Sequence, residues 1–219
     1  MTQDTLEEAL IDVRRAYRLL WAYQKRVTQC ATYIRDRLGF EHAYVDYQFR
    51  PPKNDIEHHW AWDGLPLSLV GFLSTKPAAD NDGNSNPRAG RRQAADLLLY
   101  VNVVSDTALE ARLFKDNWQY EPDAAELGPP ESSASQLWLY LIRLHAGRAP
   151  PITAPKAVVE RINNDGHWPE KGKIERNRDI GIDIYVEYID LATIGDQDRL
   201  AERVDLFAED AAAALDVVL

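Results

Sequence analysis

The sequence predicts an α+β fold: a mostly antiparallel sheet of about five strands, long N-terminal and C-terminal helices packed on one face, and long irregular insertions. Three observations carry that reading. Apolar residues recur at alternating spacings of four and three from Leu6 to Leu38, and a second such run extends from Leu200 to Val218. Nearly every strong apolar segment between them has strand length or a period of two.

In chain order, the first helix (5–38) is traced by Leu6, Leu10, Val13, Tyr17, Leu20, Val27, Ala31, Ile34 and Leu38 on one face, interrupted by Gln24, and Gly39 supplies the stop. At roughly 1.5 Å per residue such a helix is near 50 Å long, whereas five strands at roughly 4.8 Å span about 24 Å. It therefore either breaks near Trp21 to Gln24, or its free end packs on the other terminal helix or on another subunit.

The β-rich core (43–190) begins with Tyr44 to Phe49, halted by Pro51 and Pro52 as an edge strand is. Leu65 to Ser74, Asp96 to Val104 and Leu137 to Leu144 are apolar on both faces and read as covered central strands. From Ile180 to Tyr188 strict alternation marks a half-buried strand, with Asp183 and Glu187 on its polar face. Insertions at 75–95, 109–135 and 147–179 interrupt this scaffold, the last with a short helix over Pro155 to Asn163.

The closing helix (196–218) carries Leu200, Val204, Phe207, Ala211, Ala214 and Val218, with Asp196 or Asp198 as N-cap. Seven basic and four acidic residues between Thr5 and Leu38 face two basic and seven acidic between Asp196 and Leu219. Side-by-side packing of the two helices is thus electrostatically favoured, although exposed pairs contribute little individually.

At 219 residues, one domain (1–219) is expected, because compact domains mostly hold about 50 to 250 residues. Cys30 is the sole cysteine, which excludes an intrachain disulfide and, on a helix beside core positions, a reactive thiolate. Met1 to Leu10 lacks the basic-then-apolar start of a secretory signal, and no apolar run approaches membrane-spanning length. The expected location is cytoplasmic. A net charge of −10 makes nucleic acid an unfavourable general ligand.

Chemistry-bearing residues are sparse. His58 and His59 are adjacent and point apart on any regular element, so a metal site there needs ligands from His42, His145 or His167. Asp183 and Glu187 are the alternative seat for a divalent metal, but no lysine follows an acid at nuclease-like spacing. No phosphate-binding loop, dinucleotide turn, nucleophile elbow or HExxH helix is present.

Binding candidates are the basic stretch Arg88, Arg91 and Arg92 inside a polar 75–95 loop, and the loop tryptophans Trp60, Trp62 and Trp118, which anchor either their own loops or a partner. Trp21 and Trp138 belong to apolar patterns and are assigned to the core. The leading expectation is a non-catalytic, bacterial-type binding protein that uses a protein partner or self-association as a homo-oligomer. The alternatives are a metal-dependent hydrolase or nuclease-like enzyme on a phosphorylated or nucleic-acid substrate, and a small-ligand sensor with a pocket between sheet and insertions. No cofactor is predicted beyond a divalent metal under the enzyme reading.

Overall fold

A computed structural model of the chain describes residues 3–49, 60–65, 68–76, 96–116, 119–145, 147–150, 154–165 and 168–219. Its elements, in order, are α1 (Gln3–Arg37), β1 (Glu41–Tyr47), β2 (Leu69–Thr75), β3 (Asp96–Val104), α2 (Thr107–Lys115), β4 (Gln136–Leu144), α3 (Pro155–Asp165), β5 (Ile174–Asn177), β6 (Ile182–Asp190) and α4 (Gln197–Leu215). The six strands form one sheet in the order β1-β2-β3-β4-β6-β5, and every neighbouring pair is antiparallel. The sixth strand, β5, has only four residues (Ile174 to Asn177) and too little apolar alternation to be recognised before the fold is known.

Each face of the sheet has its own core. On one, Val27, Ala31 and Ile34 of α1 and Leu200, Val204 and Phe207 of α4 pack on Leu97, Leu99, Val101, Leu139, Leu141, Tyr185 and Ile189. On the other, Val158, Val159 and Ile162 of α3 cover Leu73, Leu98, Ile142, Ile182 and Ile184. A third cluster at one end of that second face seats Leu109 and Leu113 of α2 on Phe49, Leu69 and Val104. The helices thus find the period-three-and-four seats that the strands, alternating by two, leave open.

Local signals end the helices as their chemistry requires. Gly39, at φ 67°, turns the chain out of α1 in the left-handed region, and Lys76 Nζ donates to the Leu38 carbonyl at 2.8 Å. Asp196 caps α4 by accepting from the Arg199 amide at 2.9 Å, and Arg143 Nη1 donates to the Leu215 carbonyl at its far end, 2.6 Å away. The opposite charges of the terminal helices meet in one bidentate pair, Arg37 with Asp205.

Of the two outcomes expected for α1, the structure shows the unbroken one: the helix continues from Gln3 to Arg37. Two expectations need correction. Trp21 is not core: it is exposed on the part of α1 that runs past the sheet, with Lys25 Nζ 5.3 Å from its ring centroid. The β6 strand is not half-solvated. Residues 183, 185, 187 and 189 face the terminal helices, so Tyr185 and Ile189 are buried as fully as the isoleucines opposite.

Candidate functional site

Period-two alternation puts two adjacent cross-strand rows on the face covered by α2 and α3. One row runs Asp46, Gly71, Asn102, Trp138, Tyr188 across β1, β2, β3, β4 and β6, and the next runs Tyr44, Leu73, Tyr100, Tyr140, Val186. Because α3 covers one end of this face and α2 the other, the middle of the two rows remains open. The result is a cleft of about 580 Å³, lined by Tyr100, Asn102, Trp138, Tyr140, Trp168 and Tyr188, with Glu110 and Glu170 among its polar walls.

The aromatic groups hold one another in place. Tyr100 stacks on Tyr140 at 5.6 Å between centroids, Trp168 meets Tyr140 edge-on at 4.8 Å, and Trp138 stacks on Tyr188 at 4.5 Å. The indole N–H of Trp138 donates to Gln136 Oε1 at 2.9 Å and that of Trp168 to Asn163 Oδ1 at 2.8 Å. Asn102 Oδ1 is buried and has no hydrogen-bond partner among the described residues. Glu110 rides on the first turn of α2, whose N-cap Asp106 accepts from the Ala108 amide. Burial pushes its carboxyl up to about 7.

The Tyr100 and Tyr140 hydroxyls are shifted upward by burial as well. None of these residues except the tryptophans stood out by type alone. The signal was the interruption of an apolar strand by Asn102, two residues after Tyr100, with Trp138 and Tyr140 spaced at two on the neighbouring β4.

The sequence-predicted residues fall elsewhere. Trp60 and Trp62 pack on Phe49, with centroids 6.4 and 6.2 Å apart, and Trp62 Nε1 donates to the Pro122 carbonyl at 2.8 Å, so both pin their loop to the body. Arg88, Arg91, Arg92, Trp118, His58 and His59 lie outside the described residues. Asp183 and Glu187 point toward the terminal helices, where Asp183 Oδ2 lies 2.9 Å from His145 Nε2 and Glu187 pairs with Lys171 at 3.1 Å and Arg203 at 3.7 Å. Asp46 lies across the sheet from both acids, at the edge of the cleft-facing row. Among the described residues no group of three His, Cys, Asp or Glu side chains is placed to hold a metal ion, and no helix is long and apolar enough to cross a membrane. Burial pushes the Cys30 thiol up, away from nucleophilic use.

A second surface is a site of another kind. From Leu6 to Trp21 the face of α1 that carries the apolar stripe has no covering element among the described residues: Leu6, Leu10, Val13, Tyr17 and Trp21 are each between 47% and 66% exposed. Leu20 is half-buried, Tyr23 OH meets Ser105 Oγ at 3.0 Å, and full burial begins where Val27 enters the core. The overhang of about 20 residues is roughly 30 Å long.

Comparison with known proteins gives a lineage without an activity. Uncharacterized protein PM0109 of Pasteurella multocida (strain Pm70) is 48% identical over 111 residues, which cover 48% of this chain and 53% of that protein. The chain thus spans about half the length of the relative it matches. No solved structure matches. The family model described as PM0109 matches residues 3–216, and the chain belongs to the PM0109 family.

Proposed function

We propose that this protein is a non-catalytic binding protein that self-associates, two copies pairing antiparallel along the overhanging part of α1. The observation that carries the reading is the exposed stripe. Its 4-3-4-3 spacing is the a/d pattern of a coiled-coil seam, with Leu6, Val13 and Leu20 at d and Leu10 and Tyr17 at a. An isolated helix of this length is marginal in water, so an uncovered overhang gains stability chiefly by acquiring a partner.

Charge selects the partner and its direction. The overhang is acidic first (Glu7, Glu8, Asp12) and basic afterwards (Arg14, Arg15, Arg18). Parallel pairing would set like against like, whereas antiparallel pairing sets each block against its opposite. With Leu10 layered on Val13 of the second copy and Leu6 on Tyr17, the flanking e positions bring Glu7 against Arg14 twice, and the g positions bring Ala9 against Ala16. A slip of one heptad either way would oppose Glu7 to Glu7 or Arg14 to Arg14, so a single register is favoured.

Charge reversal tests this directly. Glu7→Arg alone and Arg14→Glu alone should each weaken the dimer, and the double variant should restore it, as measured by light scattering across a dilution series. Single reversals without effect would refute the pairing. All three variants alter exposed positions outside the core, so their folding is not at stake.

A further inference from the structure

We propose that the cleft between the sheet, α2 and α3 binds a protonated organic amine, its ammonium N–H groups donating to Glu110 and its apolar body lying on the Tyr100, Trp138, Tyr140 and Tyr188 rings. This site is independent of the self-association of α1, which uses no residue of the cleft.

The lining itself selects charge and polarity. Of the described residues that line the cleft, Glu110 and Glu170 carry carboxyl groups, the latter paired with Lys173 outside the lining, and none is a lysine or arginine, which disfavours an anion. Both indole N–H groups have acceptors within the protein, and the Tyr140 and Tyr188 hydroxyls share a hydrogen bond that commits one of their two O–H donors.

The aromatic faces favour a cation further, because the negative quadrupole of Trp and Tyr rings attracts ammonium groups within about 6 Å, most strongly when desolvated. The Glu110 carboxyl is raised by burial, and among the described residues no cation lowers it again, so an ammonium in the cleft would supply the counter-charge. A volume near 580 Å³ accommodates an amine carrying one ring or a lysine-like chain. The amine therefore has two possible sources, a free small molecule or the lysine side chain of a peptide.

Calorimetric titration, with the fluorescence of Trp138 and Trp168 as a second readout, distinguishes these. The probes are 2-phenylethylammonium, the neutral 2-phenylethanol, phenylacetate, and Nα-acetyl-lysinamide for the peptide source. The proposal expects at least one of the two ammonium probes to saturate, 2-phenylethylammonium to bind about tenfold more tightly than 2-phenylethanol if it is the preferred probe, and phenylacetate to bind most weakly. Whichever ammonium binds more tightly assigns the source. Glu110→Gln, on the partly exposed face of α2, should abolish the preference for a cation while leaving the melting curve cooperative. No saturation by either ammonium below about 10 mM, equal binding of the alcohol, or an unchanged preference in Glu110→Gln would each overturn the proposal.

Discussion

The ring of Tyr100 lies over the backbone of Gly71 so closely that a Cβ built on the glycine would stand 2.0 Å from Tyr100 Cε2. Gly71 pairs with Asn102 on the neighbouring strand, so the absence of a side chain is what lets the ring lie flat along the floor of the cleft. Gly71→Ala forces the ring off its rotamer or the strands apart. The expected cost is about 1–3 kcal/mol, read as a lower urea midpoint with an unchanged slope, together with displaced Tyr100 ring resonances. A neutral Gly71→Ala would mean that the ring is not held there.

Glu110 makes stability depend on pH in a specific window. Its carboxyl is raised from 4.5 to about 7 in the folded protein by burial, so the folded state holds a proton that the unfolded state releases. Its contribution is fully present below pH 4.5 and is lost as pH rises through about 7. Glu110→Gln removes that dependence, so the difference in melting temperature between variant and parent should move in the variant's favour as pH is raised through this range. Parallel curves would show that the carboxyl is not buried.

The Arg37–Asp205 pair joins the two terminal helices through two contacts of 2.6 Å, yet both side chains are substantially exposed. It should set alignment more than stability. Arg37→Ala is expected to lower the melting temperature slightly, with the difference fading in high salt. Phe207→Ala, which empties a fully buried position between α4 and Tyr185, should cost about 3–5 kcal/mol irrespective of salt. Equal effects would show that the helices are held by charge.

Much of the scaffold was legible because period carries it. The apolar spacing of α1 and α4, the Gly39 stop, the Asp196 cap and the two-sided apolar strands β3 and β4 all follow from local pattern. The four-residue β5 strand has too short a run to show a period, and α2 was hidden in an acidic stretch whose helical signal is one cap and two leucines. Trp21 was misplaced because a heptad stripe looks the same whether the helix is covered by its own sheet or by another chain. The cleft was missed for a different reason. Asn102 was absorbed into an apolar strand, and the meeting of Tyr100, Trp138, Tyr140 and Tyr188 depends on the register of β3, β4 and β6, which single-strand patterns do not contain. Asp183 and Glu187 were read as a solvated acidic face, but α4 covers that side and supplies Arg203 to Glu187.

The central claim is that the exposed stripe of α1 pairs two copies of this chain. Sedimentation velocity at a range of concentrations tests it most directly, comparing the parent with Leu10→Asp and Tyr17→Asp. A dimer that dissociates on dilution in the parent, and monomers in both variants that still melt cooperatively and lose at most the helical signal of the overhang, is the predicted result. A parent that sediments as a monomer at every concentration, or variants that remain dimeric, would contradict it.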